Sequence, residues 1–399
     1  MKLRYIFLTI ALIVLAHLIV LYICFHQPGN EKKPAVPEKL VRTLPAEEAK
    51  AAPASVRTPA AAAESVRTER TVSKQGRRFH RFPVFNYHSA WKGDIREIPA
   101  SVGVRGGVLV DADTGNVLWD KNANLPVPIA SMTKIMTLLL ACEDVRSGRN
   151  GISFDSPVKI SRATMKIGGS QVWLDEREIF KLEDLLRAVA IKSANDAAYQ
   201  VAEFLGDGDV YGFVSRMNRR ARELGMKNTR FHNPHGLPGK TSADDNVSSP
   251  ADMALLAEFC LGHEKIMEWA ALPRSDFRNG KTELINHNNL LPGRRFPSVG
   301  VDGLKTGFIN RSGYCVTITC KRGGKRMIAV VTGFDTAKNR DLFTRQLLDW
   351  GYARAADPAA ANARSAKLKP VQPKNRSPKR RSAGVSRKNS ARNTQRKNR

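Results

Sequence analysis

Acid is almost missing from the C-terminal end of this chain: Asp357 is the only acidic residue between Arg354 and Arg399, and roughly half of the formal net charge of +28 sits there. A basic excess confined to a tail does not describe the charged face of a folded nucleic-acid-binding domain. Sustained amphipathic periodicity is absent from about the first hundred and the last fifty residues, which are crowded with Ala, Pro, Ser, Lys and Arg and bury too little apolar surface to offset chain entropy. Cysteine is sparse and odd in number, five in 399 residues. Cys24 lies in an apolar run. Cys315 and Cys320 fall on one expected strand, about 16 Å apart at roughly 3.3 Å per residue, too far for a mutual disulfide. Cys142 and Cys260 occupy apolar helix positions, so buried free thiols are expected and cysteine usage does not settle the redox compartment.

The long apolar run is Tyr5 to Phe25, uncharged and interrupted only by His17. At about 1.5 Å per residue it is long enough to cross a bilayer. The bulky Tyr22-Ile23-Cys24-Phe25-His26 segment lacks the small residues of a cleavage site, which favours an uncleaved anchor over a signal peptide. Lys2, Arg4 and the terminal amine favour a cytoplasmic N-terminus, with Lys32 and Lys33 weakening that orientation. The expected organisation is an N-terminal transmembrane anchor or signal over 1–25, a Pro/Ala-rich linker over 26–98, a folded domain over 99–352 outside the cytoplasm, and a disordered basic tail over 353–399. The expected place is the inner (cytoplasmic) membrane, crossed once.

Within 99–352 the patterning changes. Gly107–Asp111, a turn at Asp113-Thr114-Gly115-Asn116 and Val117–Asp120 read as a hairpin. Pro126 and Pro128 delay a helix until about Ser131, after which Ile135, Leu138, Leu139 and Cys142 form one stripe. A second helix carries Leu182, Leu185, Leu186 and Val189, and a third runs from about Asp196 to Leu205. Val299–Gly307, Tyr314–Thr319 and Met327–Val331 read as strands, closed by a helix bearing Phe343, Leu347 and Trp350. Strands at both ends with helices between them imply an α/β, more closely α+β, domain: an antiparallel-rich sheet covered by helices.

Three short motifs occur in order: Ser131-Met132-Thr133-Lys134, Ser193-Ala194-Asn195 and Lys305-Thr306-Gly307. The first alone is weak, since Ser156-Pro157-Val158-Lys159 matches it on an expected strand, where i and i+3 face opposite ways. At Ser131 the pattern opens a helix, so i and i+3 share a face and the Lys134 amine can reach the Ser131 hydroxyl, a weak nucleophile that needs a base. That base works only when neutral, which requires desolvation or a nearby like charge such as Lys305. The helix N-terminus adds backbone donors for an oxyanion.

Together the motifs resemble the active-site serine penicillin-recognising enzymes. The surrounding text, including Ile129-Ala130-Ser131-Met132-Thr133-Lys134, Ser193-Ala194-Asn195-Asp196-Ala197, Asn233-Pro234-His235-Gly236-Leu237, Ser249-Pro250-Ala251-Asp252 and Gly303-Leu304-Lys305-Thr306-Gly307, is similar to the low-molecular-weight serine-type D-Ala-D-Ala carboxypeptidases of peptidase family S11 over about residues 103–352. The resemblance implies a β-lactamase and penicillin-recognising transpeptidase-like fold, an antiparallel sheet flanked by helices with an all-helical subdomain. It implies Ser131 as acylated nucleophile, Lys134 as general base, and Ser193 as proton relay to the leaving D-alanine. Asn195 would hold the substrate amide, Lys305, Thr306 and Arg340 the terminal carboxylate, and the Ser131 and Phe308 amides, beyond Gly307, the oxyanion. No cofactor is implied. Peptidoglycan stem peptides would be the substrate and β-lactams covalent inhibitors.

His232 and His235 do not suggest a metal, because Pro234 breaks a helix between them and no third ligand is spaced nearby; His235 is expected to be structural or at the substrate edge. Asp196 and Asp302 are expected to be structural. No Glu lies between Glu223 and Glu258, which argues against the second base of a β-lactamase. Many relatives continue into a strand-rich second domain and an amphipathic helix; here a basic tail follows, with an expected affinity for anionic lipid or wall polymer, or none. Carboxypeptidase and cross-link endopeptidase use the same residues and stay unseparated. A non-catalytic wall-binding homologue is disfavoured by the intact motifs, and nucleic acid as a partner rests on the tail alone.

Overall fold

The computed structural model describes residues 85–356. The apolar run at Tyr5–Phe25, most of the spacer and the basic tail, with the anchor, linker and disorder expected for them, lie outside the described residues. Among the described residues no helix is long and apolar enough to cross a membrane.

Six strands form the central sheet: β1 (Trp91–Lys92), β2 (Gly106–Asp111), β3 (Asn116–Lys121), β4 (Val301–Ile309), β5 (Gly313–Arg322) and β6 (Lys325–Phe334), in spatial order β1-β3-β2-β6-β5-β4. The β2–β3 turn forms because the Asp111 carboxylate accepts from the N–H groups of Asp113 and Thr114 at 3.0 and 3.2 Å. Side chains alternate across the sheet, and both faces are covered. Val108 and Val110 of β2 and Ile328 and Val330 of β6 enter a core shared with the helices, whereas Leu109, Met327, Ala329 and Val331 enter a second core on the other face.

That second face is covered by the closing helix α7 (Ala337–Ala356), whose Phe343, Leu347 and Leu348 pack with Trp119 and Phe334. The first face holds α1 (Lys134–Ser147), α5 (Pro250–Cys260) and α6 (Glu264–Ala271). With α1, the helices α2 (Leu182–Arg187), α3 (Asn195–Leu205) and α4 (Val210–Glu223) make up the helical part between the two runs of strands. Helix α1 is central and buried on nearly every side, and Gly148 in the left-handed region ends it. Ser249 caps α5 by accepting from the Asp252 N–H, with Pro250 in the first turn.

Two expectations shift. The sheet is mixed, because β1 pairs with β3 in parallel while every other neighbour in it is antiparallel. The fold also begins before Pro99: Asn86 bridges Asn116, and Ile95 and Ile98 are buried in the core beneath α7. This edge is too short and irregular to show a period. At the other end α7 continues past Tyr352 to Ala356. Cys142, Cys260, Cys315 and Cys320 are buried free thiols.

Candidate active site

Ser131 sits where an extended segment becomes a helix. Val127–Pro128 pairs with Val247–Ser248, a single 3₁₀ turn covers Ala130–Thr133, and α1 starts at Lys134. The turn is held from outside: the Ile129 N–H donates to the Asn246 carbonyl at 3.0 Å, and Asn246 Nδ2 donates to Thr133 Oγ1 at 2.9 Å. Gly236, with φ +83, lies against it so closely that a Cβ there would stand 2.0 Å from the Ala130 carbonyl oxygen. Gly307 of β4 presses on the other side, where a Cβ would stand 2.6 Å from the Ile129 carbonyl oxygen. Only glycine admits both approaches.

The Lys134 side chain is fully buried, and its Nζ lies 3.0 Å from Ser131 Oγ, 2.6 Å from Asn195 Oδ1 and 2.5 Å from the His235 carbonyl oxygen. A neutral amine has two N–H donors and one lone pair. Two of these neighbours can only accept, and the third is a hydroxyl that can accept or donate, so the pocket admits the neutral amine with its lone pair turned to Ser131. Burial lowers the Lys134 pKa well below that of an ordinary lysine, and the positive charge of Lys305 lowers it further; Asp196 opposes both weakly. The Ser156 motif behaves as its spacing implied, with Lys159 exposed on a short strand, Pro157–Lys159.

Ser193 is buried at the mouth of α3 in a left-handed conformation, φ +61, and lines the same cleft as Ser131. Asn195 lines the cleft and also bonds within the protein. Its Oδ1 accepts from Lys134 and one N–H of its Nδ2 donates to the Gly168 carbonyl at 2.8 Å, which fixes the amide beside the base and leaves its second N–H without a partner among the described residues. Asp196 is structural as expected, accepting from the N–H groups of Val172, Leu174 and Ala197. Asp302 is paired with Arg326 at 2.8 Å.

The far end of the cleft is cationic. Lys305 is buried in β4, donates to the Thr306 carbonyl at 3.2 Å, and has its pKa pushed down to about 7, chiefly by burial and then by the Arg340 charge. Arg340 is buried and held by Asp341 at 2.7 Å, whose other carboxylate oxygen accepts from Asn289 Nδ2 at 2.9 Å. Phe308 is exposed and stacked on Tyr314, with ring centroids 4.1 Å apart. The cleft of about 330 Å³ is lined by Ser131, Ser193, Asn195, Thr306, Phe308 and Arg340, with Gly307 between the last strand residues. Lys134 and Lys305 lie behind this lining. Among the described residues no His, Cys, Asp or Glu cluster could hold a metal.

Two participants lie outside the three short motifs. The His235 carbonyl that fixes Lys134 carries no side-chain signal; the His235 ring is structural, accepting at Nδ1 from the Leu237 N–H, and burial pushes its pKa down to about 3. His287 lines the cleft from a loop whose neighbours Asn286 and Asn288 bond to backbone carbonyls. Its pKa is also pushed down to about 3, first by burial and then by Lys305, Lys192, Lys134 and Arg294. The run Asn286-His287-Asn288-Asn289 was the available signal.

The family model described as D-alanyl-D-alanine carboxypeptidase, Peptidase S11, matches residues 96–336. The chain belongs to this family. Among its curated members, D-alanyl-D-alanine carboxypeptidase DacF of Bacillus subtilis is 38% identical over 253 residues, covering 63% of this chain and 62% of that protein. D-alanyl-D-alanine carboxypeptidase DacA of Escherichia coli is 30% identical over 259 residues, covering 61% and 60%. This S11 chain therefore spans about three fifths of the length of these relatives. The structure of penicillin-binding protein D2 from Listeria monocytogenes in its ampicillin-bound form superposes with a TM-score of 0.56 at 31% identity, over 63% of this chain and 98% of that one. The S11 domain thus has the penicillin-recognising fold.

Proposed function

We propose that this protein is a penicillin-sensitive serine-type D-alanyl-D-alanine carboxypeptidase that acts on peptidoglycan stem peptides through an acyl-enzyme on Ser131. The observation that carries the reading is the buried Lys134 amine 3.0 Å from Ser131 Oγ, in surroundings that favour its neutral form.

Lys134 takes the hydroxyl proton as Ser131 Oγ attacks the carbonyl carbon of the penultimate D-alanine. The oxyanion faces the backbone N–H groups of Ser131 and Phe308. As the C–N bond breaks, the proton passes from Lys134 through Ser193 to the leaving nitrogen, and D-alanine departs with its carboxylate at Thr306, Arg340 and Lys305. The Arg340 fork suits a carboxylate geometrically. Water then attacks the ester, giving up a proton to Lys134 and returning one to Ser131. No Asp or Glu is among the residues lining the cleft, which supports slow hydrolysis of a penicilloyl ester and hence a lasting adduct.

Under the same proposal Tyr5–Phe25 anchors the enzyme in the cytoplasmic membrane with the S11 domain outside the cytoplasm, and the basic tail contacts anionic lipid or wall polymer. Fluorescent penicillin labels the full chain covalently and Ser131→Ala removes the label; equal labelling of the variant contradicts the assignment of the nucleophile.

A further inference from the structure

Helix α4 is rich in arginine, and most of it is paired. Arg216 meets Asp144, Arg220 meets Glu143 and Glu223, and Arg219 lies 4.0 Å from Glu223. Arg222 in the last turn has no carboxylate partner among the described residues, and neither do Lys227 and Arg230 on the segment that follows. All three are exposed and line one surface hollow of about 570 Å³, together with Asn218, Met226 and Thr229.

The fold's own needs do not account for the three cations. The end of α4 is already satisfied: the carbonyls of Arg220, Ala221 and Arg222 accept from the N–H groups of Leu224, Met226 and Gly225 at 2.9, 2.9 and 3.0 Å. The other polar side chains of the hollow are engaged inward. Asn218 Nδ2 donates to the Val214 and Phe231 carbonyls, and the Thr229 hydroxyl donates to Asp252 at 2.8 Å. Asp252 is buried behind Thr229, also accepts from the Asn228 N–H, and forms no ion pair with Arg222, Lys227 or Arg230. Three like charges gathered round one concavity repel one another, and an anion relieves that repulsion.

We propose that this hollow binds a phosphate group, at a site separate from the catalytic cleft. Two arginines and one lysine line it. A phosphate presents three or four oxygens and up to two negative charges to them, against the two oxygens and single charge of a carboxylate. The phosphate belongs to a soluble phosphate chain or to a lipid headgroup.

The test compares three full-length proteins: wild type, Arg222→Gln/Lys227→Gln/Arg230→Gln, and a control in which the same three charges leave the tail, Lys374→Gln/Arg376→Gln/Lys379→Gln. Calorimetric titration with tripolyphosphate and sedimentation with vesicles of equal phosphatidylglycerol and phosphatidylcholine are the two arms, and labelling by fluorescent penicillin reports an intact fold. The hollow variant is expected to bind at least ten-fold more weakly than the tail control in one arm. Loss with tripolyphosphate identifies a phosphate chain; loss with vesicles alone identifies a headgroup. If the triple variant fails to label, Lys227→Gln, on an exposed turn, takes its place with an expected loss of at least three-fold. Equal binding by hollow and tail variants in both arms overturns the proposal.

Discussion

At the scale of single residues, the site depends on two lysines kept in surroundings that lysine ordinarily avoids. Lys134 was legible from its spacing, because three residues on a helix bring its amine to Ser131. Its remaining partners were not: a motif names side chains, and the His235 carbonyl has none. Asn195 was legible as a site residue but its bond to the base was not, since spacing cannot say that its Oδ1 meets the Lys134 amine. Lys305 has a measurable cost. With a pKa pushed from 10.5 down to about 7, the folded protein binds fewer protons than the unfolded chain between those values, so this group makes stability rise with pH across that window. Lys305→Met is therefore expected to raise Tm at pH 7 by about 5 °C or more while lowering kcat/KM on a D-alanyl-D-alanine peptide at least ten-fold. Thermal melts should show the gain shrinking towards pH 10; a gain independent of pH contradicts the burial argument.

At the scale of elements, the active serine is clamped by two chain segments distant in sequence, the 231–237 loop and β4. The β2–β3 hairpin was legible from its turn residues, the helix after Ser131 from its apolar stripe and the closing strands from their apolar runs. The parallel edge strand β1 and the buried Ile95 and Ile98 were not, since they lie in two-residue and irregular pieces with no period to read. The clamp itself is visible only in space. Gly236→Ala forces a β-carbon into the Ala130 carbonyl and adds roughly 1–3 kcal/mol of left-handed strain before that overlap is counted. A fall in Tm of about 5 °C or more, with penicillin labelling cut at least ten-fold, is expected from melts and gel fluorescence. A variant that labels normally contradicts the clamp.

At the scale of the whole molecule, the family match over 96–336 accounts for the folded domain, while the apolar and basic ends lie outside the described residues. Their proposed arrangement is a matter of topology, with the N-terminus inside and both the S11 domain and the tail outside. Protease added to intact cells whose outer barrier has been opened should remove the tail and reach the domain; complete protection contradicts that orientation. The central claim concerns a lysine that is neutral where lysines are charged. The most direct measurement is the second-order rate constant for penicillin acylation of the full chain as a function of pH, taken with wild type. A base whose pKa lies far below 10.5 predicts a rate already at its ceiling near neutral pH and falling on the acid side, with any alkaline fall belonging to Lys305, whose pKa is pushed down to about 7. A rate that climbs about ten-fold per pH unit from neutrality to pH 10 contradicts the account, because it reports an amine with the pKa of an ordinary lysine.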